Sequence, residues 1–199
     1  MRRAAIVLLA LVAACNGGDK SGGEVRPTPA TPDDLGLGRA ATDSEIALLD
    51  IDVNAAGAGL PAGSGTHAQG ALVFAAKCAS CHGPKGEGMT SGAISYPKLI
   101  GRDPRDGFPF GKDLKYVKTV GNYWPYATTI FDYVRRAMPL DKPGSLTNDE
   151  VYAVTAFLLA ENEIVAKEFV VNAKSLPGVR MPARNRFVRD DRAPGATFR

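Results

Sequence analysis

A chain of 199 residues with 45% hydrophobic side chains suffices for one domain with a buried core and two irregular ends. The net charge of +3 is unevenly spread, −5 over residues 16–65, +1 over 66–173 and +5 over 174–199. The basic tail, 174–199, lacks the charge density and interleaved aromatics of a nucleic-acid-binding segment, so it is read as solvated or partner-docking and no nucleic acid is expected.

In chain order, Arg2 and Arg3 precede an apolar run over residues 4–14. Eleven residues are too few to span a bilayer, which takes about 20, but they suit the h-region of an export signal. Residues 1–14 are read as that signal. Val12-Ala13-Ala14-Cys15 resembles the lipobox of bacterial lipoproteins. The resemblance implies that Cys15 is lipidated, becomes the first mature residue and anchors the protein at a membrane surface. The alternative is a plain secretory signal that leaves Cys15 as a free thiol. Either way the expected location is the periplasm. Residues 15–35, with Gly17, Gly18, Gly22, Gly23, Pro27, Pro29 and Pro32, read as a flexible linker.

Residues 36–65 form an N-terminal wrap. Within it, Thr42-Asp43-Ser44-Glu45 is a capping box that predicts a short helix over 43–49. The glycine-rich stretch 57–65 is irregular, since no strand precedes it and no Lys-Ser/Thr follows as a phosphate loop needs. A first core helix is expected over 68–78, with Gly70 at a close helix contact, because glycine inside a helix costs about 1 kcal/mol against alanine.

That helix leads into Cys78-Ala79-Ser80-Cys81-His82. C-x-x-C-H is the attachment sequence of a c-type haem. Two cysteines three apart on the last turn of a helix share a face, where both sulfurs can reach the vinyl groups along one porphyrin edge. The next residue, His82, is then carried under the macrocycle to bind the iron axially. A thioredoxin-like pair would want a βαβ context, and a zinc site two further ligands. The only other histidine is His67 and the only other cysteine Cys15. One covalent haem c is the expected cofactor.

Beyond the motif, 83–88 and 101–111 read as loops, 114–120 as a short helix ended by Gly121-Asn122, and 126–136 as a helix with Arg135 and Arg136 on its last turn. Thr147-Asn148-Asp149-Glu150 is a second capping box, and Val151, Val154, Phe157 and Leu158 follow as an apolar stripe of helical period. This last helix is expected to cross the first near Gly70 and Phe74.

Gly70 and Phe74 before the motif, Tyr96-Pro97-Lys98-Leu99 after it, Met138-Pro139 and a capped final helix with Phe157 resemble the class I cytochromes c. The resemblance covers about residues 66–165. It implies an all-α fold, here over 66–173, in which the first and last helices cross around one haem. It implies that the Pro97 carbonyl accepts the second ring N–H of His82, and it puts Leu99 among the haem-binding residues. It also bears on the sixth ligand. His67 starts the helix that carries the attachment site, so it is on the wrong side; Met89 lies seven residues after His82 in a glycine-rich loop; Met181 belongs to the tail. Met138, 56 residues beyond His82, stands where the family places its ligand.

Asp50-Ile51-Asp52-Val53, Gly59-Leu60-Pro61, Gly101-Arg102, the run over 121–139 and Leu146-Thr147-Asn148-Asp149-Glu150 resemble more closely the cytochrome subunit of bacterial sulfite and sulfane dehydrogenases. That likeness implies a molybdoenzyme of the sulfite oxidase type as electron donor and a downstream cytochrome or oxidase as acceptor. Some members carry a second haem domain; this chain has one motif. A His82/Met138 haem has no open position and transfers single electrons. The competing class is a peroxidase-like haem enzyme or ligand sensor with a displaceable sixth ligand, for which no distal His/Arg apparatus is visible.

Overall fold

The computed structural model describes residues 38–105, 110, 113 and 115–188. The chain divides into two compact units, Met1–Ala41 and Thr42–Arg199, and every helix and strand described lies in the second. The export signal, Cys15 and the linker fall outside the described residues.

Helix α1 (Asp43–Leu49) begins at a complete capping box: Thr42 accepts from the Glu45 amide and Glu45 accepts from the Thr42 amide. A two-residue strand β1 (Ser64–Gly65) leads to α2 (His67–Lys77), which has its own box from Thr66 and Gln69. A single turn, α3 (Ala79–His82), comes next, then a hairpin of β2 (Met89–Ser91) and β3 (Ile94–Tyr96). Helices α4 (Ala127–Ala137) and α5 (Asn148–Glu161) complete the helical set, and β4 (Val171–Asn172) pairs antiparallel with β1. The architecture is mostly helical with a few short strands, in keeping with the all-α fold that the resemblance implies. Among the described residues no helix is long and apolar enough to cross a membrane.

The core sits on α5. Its residues 151–160 are buried on every side, not along one stripe, because α2, α4, β1 and β4 all pack around it. Gly70 lets α2 lie against α5, since a Cβ there would come 2.7 Å from the Phe157 Cβ and closer still to the Ala153 carbonyl. Phe74 then meets Phe157 at 4.8 Å between ring centroids, and Phe131 of α4 meets Tyr152 at 4.3 Å. The crossing near Gly70 and Phe74 is therefore as the sequence predicts.

The N-terminal wrap is tied down by polar groups. The Val53 amide donates to Asp132 at 2.7 Å, Arg135 to the Ile51 carbonyl at 2.9 Å, and the Tyr152 hydroxyl to the Pro61 carbonyl at 2.7 Å. Residues 174–183 wrap on the domain as well. Leu176, Val179, Met181 and Ala183 are buried with no helical period to announce it.

One expected helix is absent. The described part of 114–120 is turn and irregular chain. There the Thr119 amide donates to the Asn122 side chain at 2.8 Å and the Asn122 amide to the Thr119 hydroxyl at 3.2 Å. Such local side-chain bonds compete with the helical ladder.

Candidate haem site

Helix α2 ends at its C-cap Cys78, whose amide still donates to Phe74 at 2.9 Å. The φ/ψ of −122°/−38° at Cys78 departs from helical values near −63°/−42°. The two cysteines therefore do not share the last turn of one helix, as the spacing alone suggests: the helix ends on the first, and Cys81 and His82 occupy the separate turn α3. Amides of Cys81 and His82 both return to the Cys78 carbonyl, at 3.1 and 2.9 Å. The motif is thus a self-closed turn.

Both cysteines are half-buried and are not joined to each other in a disulfide. Burial pushes the Cys78 thiol up to about 11, against the lowering pull of the neighbouring Lys77 charge. Among the described residues, no three His, Cys, Asp or Glu side chains cluster as a zinc site requires.

His82 Nδ1 lies 2.9 Å from the Pro97 carbonyl oxygen. A carbonyl only accepts, so Nδ1 carries the proton and Nε2 keeps the lone pair that can bind a metal. The Pro97 carbonyl is held in place by the residues next along the chain. Amides of Leu99 and Ile100 donate to the Gly86 carbonyl at 2.8 and 3.1 Å, and the Gly88 amide donates back to the His82 carbonyl at 2.8 Å. The loop after His82 and the strand-end after Tyr96 are therefore laced together, with the imidazole bond across them. Leu99 is half-buried on the core.

Met138 is the C-cap of α4, where φ/ψ of −124°/147° turns the chain out of the helix. It packs half-buried on the same core as Cys78, Leu99 and Trp124. The other methionines lie elsewhere. Met89 is 42% exposed on the β2–β3 hairpin, and Met181 is a core residue at 4%. His67 is engaged at the α2–α5 contact: its Nε2 meets Glu161 at 2.8 Å and its ring stacks on Phe157 at 5.4 Å.

Two further side chains lie near these residues. Trp124 donates to the Thr129 hydroxyl at 2.9 Å and packs on Tyr133 at 5.8 Å. Asn162, fully buried after α5, bonds the Leu99–Gly101 segment. Its only sequence signal is a polar residue directly after a helix whose last turns are apolar.

The model of the family described as cytochrome c matches residues 67–161. A chain in the crystal structure of the sulfane dehydrogenase SoxCD from Paracoccus pantotrophus is 42% identical, with 79% of this chain and 73% of that one covered at a TM-score of 0.67. The chain belongs to the cytochrome c family. A thiosulfate dehydrogenase from Stutzerimonas stutzeri (strain A1501) is 29% identical over 99 residues, 49% of this cytochrome and 28% of that protein. The cytochrome thus spans little more than a quarter of that relative's length.

Covalent haem c is the cofactor of the family and of this cytochrome. The residues present fit it. The motif offers two thiols three positions apart and an imidazole with Nδ1 committed to Pro97 and Nε2 left to bind. The half-buried thioether of Met138 adds a soft donor.

Proposed function

We propose that this cytochrome is a monohaem periplasmic electron carrier. It accepts single electrons from a molybdenum sulfite or sulfane dehydrogenase during sulfur oxidation and passes them to a downstream cytochrome or oxidase. The observation that carries the reading is the match at 42% identity to a chain of SoxCD over most of both chains.

In this reading Cys78 and Cys81 would form the thioether bonds to the haem, His82 and Met138 would bind its iron, and Leu99 would pack against it. Pro97 fixes the His82 tautomer and turns the ring, which raises the basicity of Nε2. Bound there, haem c supplies a reversible one-electron iron couple. With the iron held by both His82 and Met138 the haem would offer no open position to a substrate, which is why the proposed role is that of a carrier. His67, the remaining histidine, is committed to Glu161.

Oxidation of sulfite to sulfate releases two electrons and the carrier accepts one. The donor therefore reduces one copy twice or two copies once. Exposed Lys85 and the Arg102–Arg105 loop supply charges for docking, although Arg105 is tied to Glu163 at 2.9 and 3.0 Å. Docking through such charges weakens as salt rises. The export signal over 1–14 and lipidation of Cys15 belong to the same proposal.

The test is stopped-flow reduction of the oxidised cytochrome by a sulfite-oxidase-type molybdoenzyme from the same organism plus sulfite, compared with sulfite alone. Enzyme-dependent reduction that slows with added salt is expected. Its absence at low salt would reject the pairing and leave a carrier for other donors.

A further inference from the structure

Asn162 is 0% exposed and uses both ends of its amide. Its Oδ1 accepts from the Gly101 amide at 2.9 Å, and its Nδ2 donates to the Leu99 carbonyl at 3.2 Å and to the Leu158 carbonyl of α5 at 2.8 Å. One side chain thus joins the end of α5 to the segment that begins two residues after Pro97. The fit is close on its far side too, where a Cβ at Gly121 would stand 3.0 Å from the Asn162 Cγ. The Leu99 carbonyl also receives the Val120 amide at 3.1 Å, so the segment is held from α5 and from the 119–122 turn at once.

We propose that Asn162 is a positioning residue for the proximal ligand: by clamping Leu99 and Gly101 to α5 it holds the Pro97 carbonyl on His82 Nδ1. The proposal rests on the axial role of His82 in the proposed function. Satisfying three backbone groups with one buried amide is a structural service that any polar core residue performs. Here the clamped segment is short, and its other end carries the one acceptor that sets the charge on the imidazole. A weaker Nδ1–H···O bond makes Nε2 a poorer donor, which favours the reduced iron.

The experiment compares holoprotein of the wild type, Asn162→Ala and Thr147→Ala. The last removes a helix cap at the opposite end of α5 and leaves the Asn162 bonds to Leu99 and Gly101 in place. Asn162→Ala is expected to keep a low-spin spectrum, shift the reduction potential upward and speed solvent exchange of the His82 Nδ1 proton tenfold or more. Thr147→Ala should lower stability with the potential unmoved. An unchanged potential and Nδ1 exchange rate in folded Asn162→Ala would overturn the proposal.

Hydrogen exchange on the wild-type holoprotein supplies the second measurement, which decides the matter if Asn162→Ala does not mature. The Gly101 amide, the Asn162 amide and the His82 Nδ1 proton should exchange together as one opening unit. A His82 proton that exchanges independently of Gly101 overturns the clamp. Failure of the axial assignment is distinguishable, because the wild-type spectrum would then lack histidine ligation altogether.

Discussion

Gly70 of α2 lies against the Ala153 carbonyl of α5 with no room for a Cβ between them. This contact sets the crossing of the two helices, and through it the position of Cys78 at the end of α2 relative to the core. The aromatic pair Phe74–Phe157 closes the same interface one turn further on.

Gly70→Ala is predicted to destabilise the fold despite the better helix propensity of alanine. Propensity returns about 1 kcal/mol, whereas overpacking a backbone-to-backbone contact costs 1–3 kcal/mol or more, by order of magnitude about twice as much. Denaturant unfolding of the holoprotein measures the difference. An equal or higher midpoint for Gly70→Ala would show that the helices separate without penalty.

Met138→Ala is predicted to remove the weak near-infrared sulfur-to-iron band of the oxidised protein and lower its potential. Met89→Ala should keep the band, since Met89 sits exposed on the hairpin. Met181→Ala should keep it as well while losing about 2–5 kcal/mol of stability, as expected for a truncated core methionine. A band that survives in Met138→Ala places the ligand elsewhere.

Haem should remain on the polypeptide through a denaturing gel, and the double substitution Cys78→Ala, Cys81→Ala should release it. The motivation is the pair of half-buried thiols beside His82. Extraction of haem from the wild-type protein into acidic organic solvent is the result that contradicts covalent attachment.

Acid should unfold the domain partly through Asp132. Burial alone would raise its carboxyl, but hydrogen bonds from Arg136 and from the Val53 amide outweigh it and hold the group below the usual carboxylate range. Glu150, bonded to Lys77, and Glu161, bonded to His67, are lowered too. A folded carboxyl that titrates below its unfolded value contributes stability that is complete above an unfolded value near pH 4. The contribution is lost as pH falls through the folded value. Stability from these groups should therefore be flat from about pH 5 upward and decline below about pH 4. Asp132→Asn should start less stable at neutral pH and lose less on acidification, read from unfolding midpoints at pH 3 and pH 7. Parallel curves for the two proteins would rule Asp132 out.

Helix starts and the attachment turn were legible because their chemistry is local. Thr42–Glu45 and Thr147–Glu150 each satisfy amides within four residues, so a reader of the chain meets both partners together, whereas the equivalent Thr66–Gln69 box that starts α2 at His67 emerges only in the structure. Cys78, Cys81 and His82 likewise form one closed turn. The His82–Pro97 bond came from family likeness and not from spacing, since the two stand fifteen positions apart across loop and hairpin.

What only the folded chain decided is long-range. Burial of α5 on all sides depends on α2 and β1 arriving from about 80 residues earlier in the chain and on β4 folding back, not only on its neighbour α4. Val179, Met181 and Ala183 are buried in alternation with exposed Arg180 and Pro182, but the prolines at 177 and 182 mask that short run as a strand signal, and only the fold decides that it faces the core. The same holds for Asn162, which is 63 residues from the Leu99 carbonyl it holds. A polar side chain states its need for partners in the sequence; which partners meet it is set by how the helices pack.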